Sequence, residues 1–180
     1  MQAREIENYL AQLGQELVDR GVRQPVRMLL IGGAFMLLQV QNRLMTDDVD
    51  VVLTDIEDTS VSLLYRQLNS AVQAIARQYG LKGNWLNDMM GDALRENGPL
   101  PSGTLWRTFG VIELYLPPKE YILVLKLMAG RSKDRADIRS LCQVLQIHDR
   151  QQAQSLVDRY IPNKQLQQLS DLDDTLEEFF

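Results

Sequence analysis

Asp48, Val49 and Asp50 form an acid–apolar–acid triplet at the start of the β-branched run VDVVL (49–53). In an extended strand, residues i and i+2 point to one face about 6.5 to 7 Å apart. The two carboxylates therefore emerge side by side, and they repel each other unless a cation or a proton relieves them. Such a pair suits Mg²⁺, with Mn²⁺ as its substitute: a hard cation that takes oxygen ligands, keeps several waters and is shared between carboxylates and substrate phosphates. Upstream, Gly32-Gly33 closes the apolar run VRMLLI (26–31). With no Cβ in the way, backbone amides at the start of the following helix can approach a phosphate chain, whose charge the helix dipole favours. Arg43 and Thr46 lie between the two features and offer a cation and a hydroxyl. Taken singly, a glycine pair after a strand is an ordinary turn, and an acidic pair at a strand edge is an ordinary solvated face.

Other residues could add to such a site. Lys126 stands in the very apolar YILVLKLMA, where a buried ammonium is costly unless paired. A phosphate, or a carboxylate such as Asp50 or Asp137, is expected to face it; the alternative is a lysine that snorkels to the surface. Asp134 and Asp137 fit either a functional role or that of acids at a helix N-terminus. Arg131 and Lys133 are candidate phosphate or acceptor contacts against a background of ordinary surface charge. Glu113 is the acid of the expected strand FGVIELYL (109–116), on one face with Val111 and Tyr115. Trp85, Asn87 and Asp88 of WLND could line a pocket for an acceptor or a base, although a Trp in a long connection commonly pins it to the core.

The elements that must position these residues follow from periodicity. Ile6, Leu10, Leu13 and Leu17 mark an amphipathic helix ending near Gly21. A strand over 26–31, the glycine turn and a helix AFMLLQVQNR (34–43) follow, then a strand over 49–53 closed by the polar TDIEDTS (54–60). Leu64, Leu68, Val72, Ile75 and Tyr79 mark a helix ending at Gly80. Residues 81–104 read as a long irregular connection with one helical turn near 87–94. After the strand over 109–116, Pro117-Pro118 starts the helix KEYILVLKLMA, capped by Gly130. The helix DRADIRSLCQVL and helical segments over 150–160 and from 164 to the end complete the order. The expectation is a single α+β domain over 1–180. A small mixed sheet is flanked by helices in a core over about 26–145, with a helical C-terminal half and an extension over 146–180.

Composition narrows the chemistry. The chain has 180 residues, 45% hydrophobic and 24% charged, which excludes a disordered or fibrous protein. One cysteine, Cys142, and one histidine, His148, exclude a Cys/His zinc site and an internal disulfide. A histidine-dependent triad would have to use His148, which reads as a solvent-facing or capping residue. The formal charge of −5 resides in the last ten residues, DLDDTLEEFF, read as a solvated helix or frayed end. The body is neutral, without a global basic footprint for nucleic acid. No signal-peptide pattern opens the chain and no apolar stretch has membrane-spanning length, so a cytoplasmic location and no membrane partner are expected.

Gly32-Gly33 followed by Thr46-Asp47-Asp48-Val49-Asp50 resembles the signature of the DNA polymerase β-like nucleotidyltransferase superfamily. The later KLMAGRSKDRADIRSL resembles its bacterial branch of abortive-infection toxins and minimal toxin nucleotidyltransferases. The nearest resemblance is to an uncharacterised nucleotidyltransferase-like family of small bacterial proteins, in which WLND, a strand, PP, a KLMAGR-like helix and a helical tail occur in this order. It spans about residues 26–165. The resemblance implies a mixed sheet flanked by helices and Mg²⁺-dependent transfer of a nucleoside monophosphate from a nucleoside triphosphate. The acceptor is an RNA, a protein or a small molecule, with RNA or protein favoured, and an antitoxin or a second copy of the chain is the implied partner. It also implies that Gly32 and Gly33 form the phosphate-side turn, that Asp48 and Asp50 hold the metal, that Lys126 contacts phosphate, and that Asp134 or Asp137 is the later acid. Two departures stand out. Many members carry Ser after the first Gly, and many carry a third carboxylate on another strand, a place for which Glu113 is the strand acid here. Without a third carboxylate, Asp134 or Asp137 supplies the base, or the chain is an inactive module of the same fold that senses nucleotides or binds a protein.

Overall fold

A computed structural model describes residues 1–55 and 62–180. The polar run that closes the second expected strand lies, from residue 56 to 60, outside the described residues. The chain divides into two compact units, Met1–Asp92 with Gly103–Leu116, and Ala93–Ser102 with Pro117–Phe180.

The first unit is built on a sheet. Helix α1 (Ala3–Asp19) opens with a capping box in which the Gln2 N–H donates to Glu5 Oε2 at 2.6 Å. Its Ile6, Leu10, Leu13 and Leu17 are wholly buried, as their spacing requires. Strand β1 (Val26–Leu30) leads into a short helix α2 (Gly32–Phe35) that continues as a π-turn over Met36–Val40. The helix expected to reach residue 43 stops earlier, because Gln41 takes the left-handed conformation (φ 57°). Strand β2 (Val49–Leu53) and helix α3 (Leu63–Tyr79) follow. The Ser62 hydroxyl caps α3 by accepting from the Tyr65 N–H at 3.2 Å, and Gly80 ends it at φ 65°. The connection expected to be irregular holds a two-residue strand β3 (Leu86–Asn87) and helix α4 (Gly91–Glu96).

Residues 109–116, expected as one strand, are instead the turn and second arm of a hairpin. Strands β4 (Thr104–Phe109) and β5 (Ile112–Leu116) pair antiparallel across Gly110, whose φ of 59° makes the turn. Among the described residues the strands form one mixed sheet in the order β3-β2-β1-β5-β4. β1 runs antiparallel to β2 and parallel to β5, and β3 runs parallel to β2. Two backbone approaches lock α1 to the hairpin. A Cβ on Gly14 would lie 2.0 Å from the Phe109 carbonyl oxygen, and one on Gly110 would lie 2.9 Å from the Gly14 backbone. Trp85 is buried with its indole N–H donating to the Val72 carbonyl at 3.1 Å and its ring edge-on to Tyr9, so it pins the connection to α1 and α3.

The second unit is helical in its described secondary structure. Helix α5 (Lys119–Ala129) follows Pro117-Pro118 and ends at Gly130 (φ 57°). A 3₁₀ turn (Ser132–Asp134) leads into α6 (Arg135–Leu145) and α7 (Arg150–Tyr160), the latter capped by Asp149 accepting from the Gln152 N–H at 2.8 Å. The helix expected from 164 to the end is two, α8 (Lys164–Leu169) and α9 (Leu172–Phe179), because Ser170 is extended. The acidic tail is not frayed. α9 buries Leu172, Thr175 and Leu176, while Asp173 pairs with Arg150 at 2.7 Å and Glu178 with Arg135 at 2.8 Å. The observed class is α+β, with a mixed sheet and a helical C-terminal half. Among the described residues no helix is long and apolar enough to cross a membrane.

Candidate functional site: a glycine turn closed on a carboxylate strand

The first unit brings the glycine turn and the acidic strand into contact. β1 and β2 are antiparallel neighbours with Leu30 opposite Val51, and the Ile31 N–H donates to the Asp50 carbonyl at 2.9 Å. The end of β1 therefore meets the start of β2. Gly32 is left-handed at φ 65°, and a Cβ there would lie 2.3 Å from Asp50 Oδ2 and 3.0 Å from the Asp50 Cβ. Glycine is required twice over, by backbone conformation and by the carboxylate. At Gly33 a Cβ would lie 2.6 Å from Thr46 Oγ1 and 2.9 Å from Arg43 Nη1. The place a side chain would take is thus filled at Gly32 by a carboxylate and at Gly33 by a hydroxyl and a guanidinium.

Thr46 is buried, and its hydroxyl donates to the Asp48 carbonyl at 3.2 Å, tying the loop to the start of the strand. Asp48 precedes β2 by one residue and Asp50 lies within it; both are half-buried. The sequence offers Asn87 as a pocket residue but not as the partner of Asp50. Asn87 stands opposite it in the β2–β3 register, and its Nδ2 donates to Asp50 Oδ1 at 3.2 Å. WLND marks the residue, but a register between parallel strands is a tertiary fact that the motif does not encode. Its neighbour Asp88 accepts from the Leu53 N–H at 3.4 Å.

Glu113 is not part of this cluster. It stands opposite Arg27, four residues before Ile31 on β1, which is about 13 Å along the strand. Arg27 Nε at 2.9 Å and the Tyr115 hydroxyl at 2.9 Å both donate to Glu113 Oε2. These two bonds, that from Arg27 foremost, hold its carboxyl below the usual glutamate range. Arg27 also reaches Asp55 at 3.2 Å.

The second unit gathers Lys126, Asp134 and Asp137. The lysine does not snorkel: its side chain is 7% exposed, and Nζ lies 2.7 Å from Asp134 Oδ1 and 2.7 Å from Asp137 Oδ2. α5 supplies the cation, and the 3₁₀ turn and α6 supply the anions. Both Asp134 and Asp137 face Lys126, and the Asp134 side chain makes no N-cap hydrogen bond. Arg131 and Lys133 are exposed on the same segment, as is His148 at the end of the loop before α7.

Asp48 and Asp50 are the residues that could hold a metal. Among the described residues no group of three or more His, Cys, Asp or Glu side chains is placed to bind one. The Asp50 carboxylate is packed against Gly32, and carboxylate oxygens are hard donors of the kind taken by a cation that completes its shell with water and phosphate, as Mg²⁺ does. No protein-family model matches the chain, and a search of curated proteins finds no match.

Proposed function

We propose that this chain binds a Mg²⁺–nucleoside triphosphate at the Gly32–Gly33 turn and is a nucleotidyltransferase, passing the nucleoside monophosphate to a hydroxyl of an RNA, protein or small-molecule acceptor. The observation that carries this reading is the closure of the two glycines on Asp50, Thr46 and Arg43. It supports a site in which backbone amides, Arg43 and Thr46 meet phosphate oxygens while Asp48 and Asp50 hold the cation. The bound Mg²⁺ would neutralise charge on the phosphates as pyrophosphate leaves. Lys126 needs no phosphate to be satisfied, since two carboxylates already face it.

The position of Glu113 favours a second reading, nucleotide binding without transfer, because the strand acid expected to complete the site is engaged by Arg27 and Tyr115. One pair of experiments separates the two. Wild type and Asp48→Asn/Asp50→Asn are titrated with each of the four NTPs, with and without Mg²⁺, in a thermal-shift assay. A ligand at 100 times its Kd adds about 2.7 kcal/mol. For a chain of this size each kcal/mol is about 2 to 4 °C. A Mg²⁺-dependent rise that the Asn variant loses supports the site; no rise with any NTP overturns it. Transfer of α-³²P label to an acceptor then supports the transferase, and binding without label transfer supports the second reading.

A further inference from the structure

Strand β4 closes one side of the sheet and has a bare outer edge. Among the described residues, the backbone of Thr104–Phe109 bonds to β5 and to nothing else. In an antiparallel ladder hydrogen-bonded and non-hydrogen-bonded pairs alternate, so part of the N–H and C=O groups of an edge strand point away from the sheet. No side chain of β4 is fully buried, and Leu105 is 49% exposed. The run Thr-Leu-Trp-Arg-Thr-Phe is β-prone, contains the Trp, Arg and Phe enriched at interfaces, and is free of Lys, Asp, Glu and Pro. Edges that must stay solitary carry lysines, prolines or inward charges, or are covered. β4 has one such guard, the bulge between Leu105 and Arg107, which adds twist but leaves the outward groups bare.

We propose that β4 pairs antiparallel with β4 of a second copy of this chain, joining two five-stranded sheets across a two-fold axis. An edge of main-chain donors and acceptors is matched by another extended strand. Charge then decides which strand. Arg107 is the one charged residue of β4; it lies 2.6 Å from Glu7 of α1, and its guanidinium covers the Trp106 ring at 4.8 Å. The edge therefore offers little net charge to recruit an acidic or a basic segment. For the same reason two copies meet without opposed like charges, which destabilise a cross-strand pair. The strand also matches itself. Thr104 and Thr108 stand on either side of Leu105-Trp106-Arg107, so an axis through the bulge gathers the two Trp106–Arg107 pairs at the centre and sets threonine-bearing ends against one another. Aromatic and Thr–Thr neighbours favour cross-strand pairing. A two-fold contact is self-complementary and closed, so it stops at the dimer.

The test is made on the whole chain. Sedimentation equilibrium from micromolar to submillimolar protein reads the association, and amide hydrogen exchange at the two ends of that range reads where it occurs. The expected result is a monomer–dimer equilibrium in which exchange over 104–109 slows as the dimer forms. Leu105→Lys places a charge on the edge at an exposed position and is expected to raise the dimer Kd at least about tenfold. Leu105→Val keeps an apolar β-former and is expected to dimerise as wild type does. A chain that stays monomeric throughout the range overturns the proposal, a monomer that takes up a segment of another protein at β4 included. So does a dimer that leaves exchange over 104–109 unchanged, which places the contact on another face. So does a Kd within about twofold of wild type for a folded Leu105→Lys. The exchange measurement needs no variant, so it decides the matter if Leu105→Lys does not fold.

Discussion

Two glycines with the same backbone conformation permit a clean dissection of the candidate site. Gly32 and Gly80 both sit at φ 65°, but a Cβ on Gly80 would meet nothing within 4 Å, whereas one on Gly32 would lie 2.3 Å from Asp50 Oδ2. Gly80→Ala therefore isolates the cost of a left-handed alanine, about 1 to 2 kcal/mol. Gly32→Ala pays the same conformational term and must also push the Asp50 side chain aside, an overpacking cost of about 1 to 3 kcal/mol. Urea denaturation followed by tryptophan fluorescence reads the difference, because Trp85 and Trp106, the two tryptophans of the chain, belong to the first unit. A second readout is specific to the site: Gly80→Ala keeps the Mg²⁺-dependent NTP shift, and Gly32→Ala loses it. Equal destabilisation by the two substitutions, together with an unchanged nucleotide shift in Gly32→Ala, would refute the claim that Gly32 is dictated by the carboxylate it covers.

Further outcomes follow from the same geometry. Lys126→Met takes the ammonium away from two buried carboxylates and is expected to cost about 3 to 5 kcal/mol by urea-monitored circular dichroism, while Lys126→Met/Asp134→Asn/Asp137→Asn recovers part of that loss. Gly14→Ala sets a methyl against the Phe109 carbonyl, a backbone atom with nowhere to go, and is expected to cost at least about 1 to 3 kcal/mol on the fluorescence of the first unit. The Glu113 carboxyl is held below its ordinary 4.5 in the folded chain, so its contribution is present above that pH and is lost as pH falls through the lower folded value. The stability difference between wild type and Glu113→Gln should therefore shrink as pH is lowered below 4.5, and a pH-independent difference would contradict the pairing with Arg27.

What could be read from the sequence divides along physical lines. The face of α1, the apolar runs of β1 and β2, the proline start and glycine end of α5, and the need of Lys126 for an anion are local signals. Each rests on periodicity, capping or the cost of a buried charge, and each reappears in the structure. β4 left no such trace: along this edge strand no residue is fully buried, so the alternation that betrays a half-buried strand is missing. Gly110, set among apolar neighbours, therefore reads as strand although its positive φ makes it a turn. The break at Gln41 rests on a left-handed conformation that a glutamine does not announce, and at Ser170 the hydroxyl donates back to the Gln167 carbonyl at 2.6 Å, a weak turn signal in sequence. At the candidate site, Gly32, Gly33, Arg43, Thr46 and Asp50 stand out by type and the structure brings them together, whereas Glu113 pairs with Arg27, because a strand face is visible in sequence while the position along its neighbour is not. The partnership of Asn87 with Asp50 depends on the same hidden variable.

The sheet order also governs how the chain can be made. β1 lies at the centre of the sheet, yet of its two flanking strands only β2 is close in sequence; β5 pairs through residues such as Arg27 and Glu113 that lie 86 positions apart. A ribosome therefore releases β1 and β2 long before the strand that completes them, and between the two come α3, α4 and the first segment of the helical unit. Throughout that interval one edge of an apolar strand, with Val26, Met28, Leu29 and Leu30, has no native partner. Closing so distant a parallel pair is slow by its topology, and the waiting edge is a place where nascent chains can pair with one another. The central strand of the sheet thus has both edges paired only after β5 is made, and a chaperone that shields its open edge until residue 116 has emerged would raise the yield of folded protein.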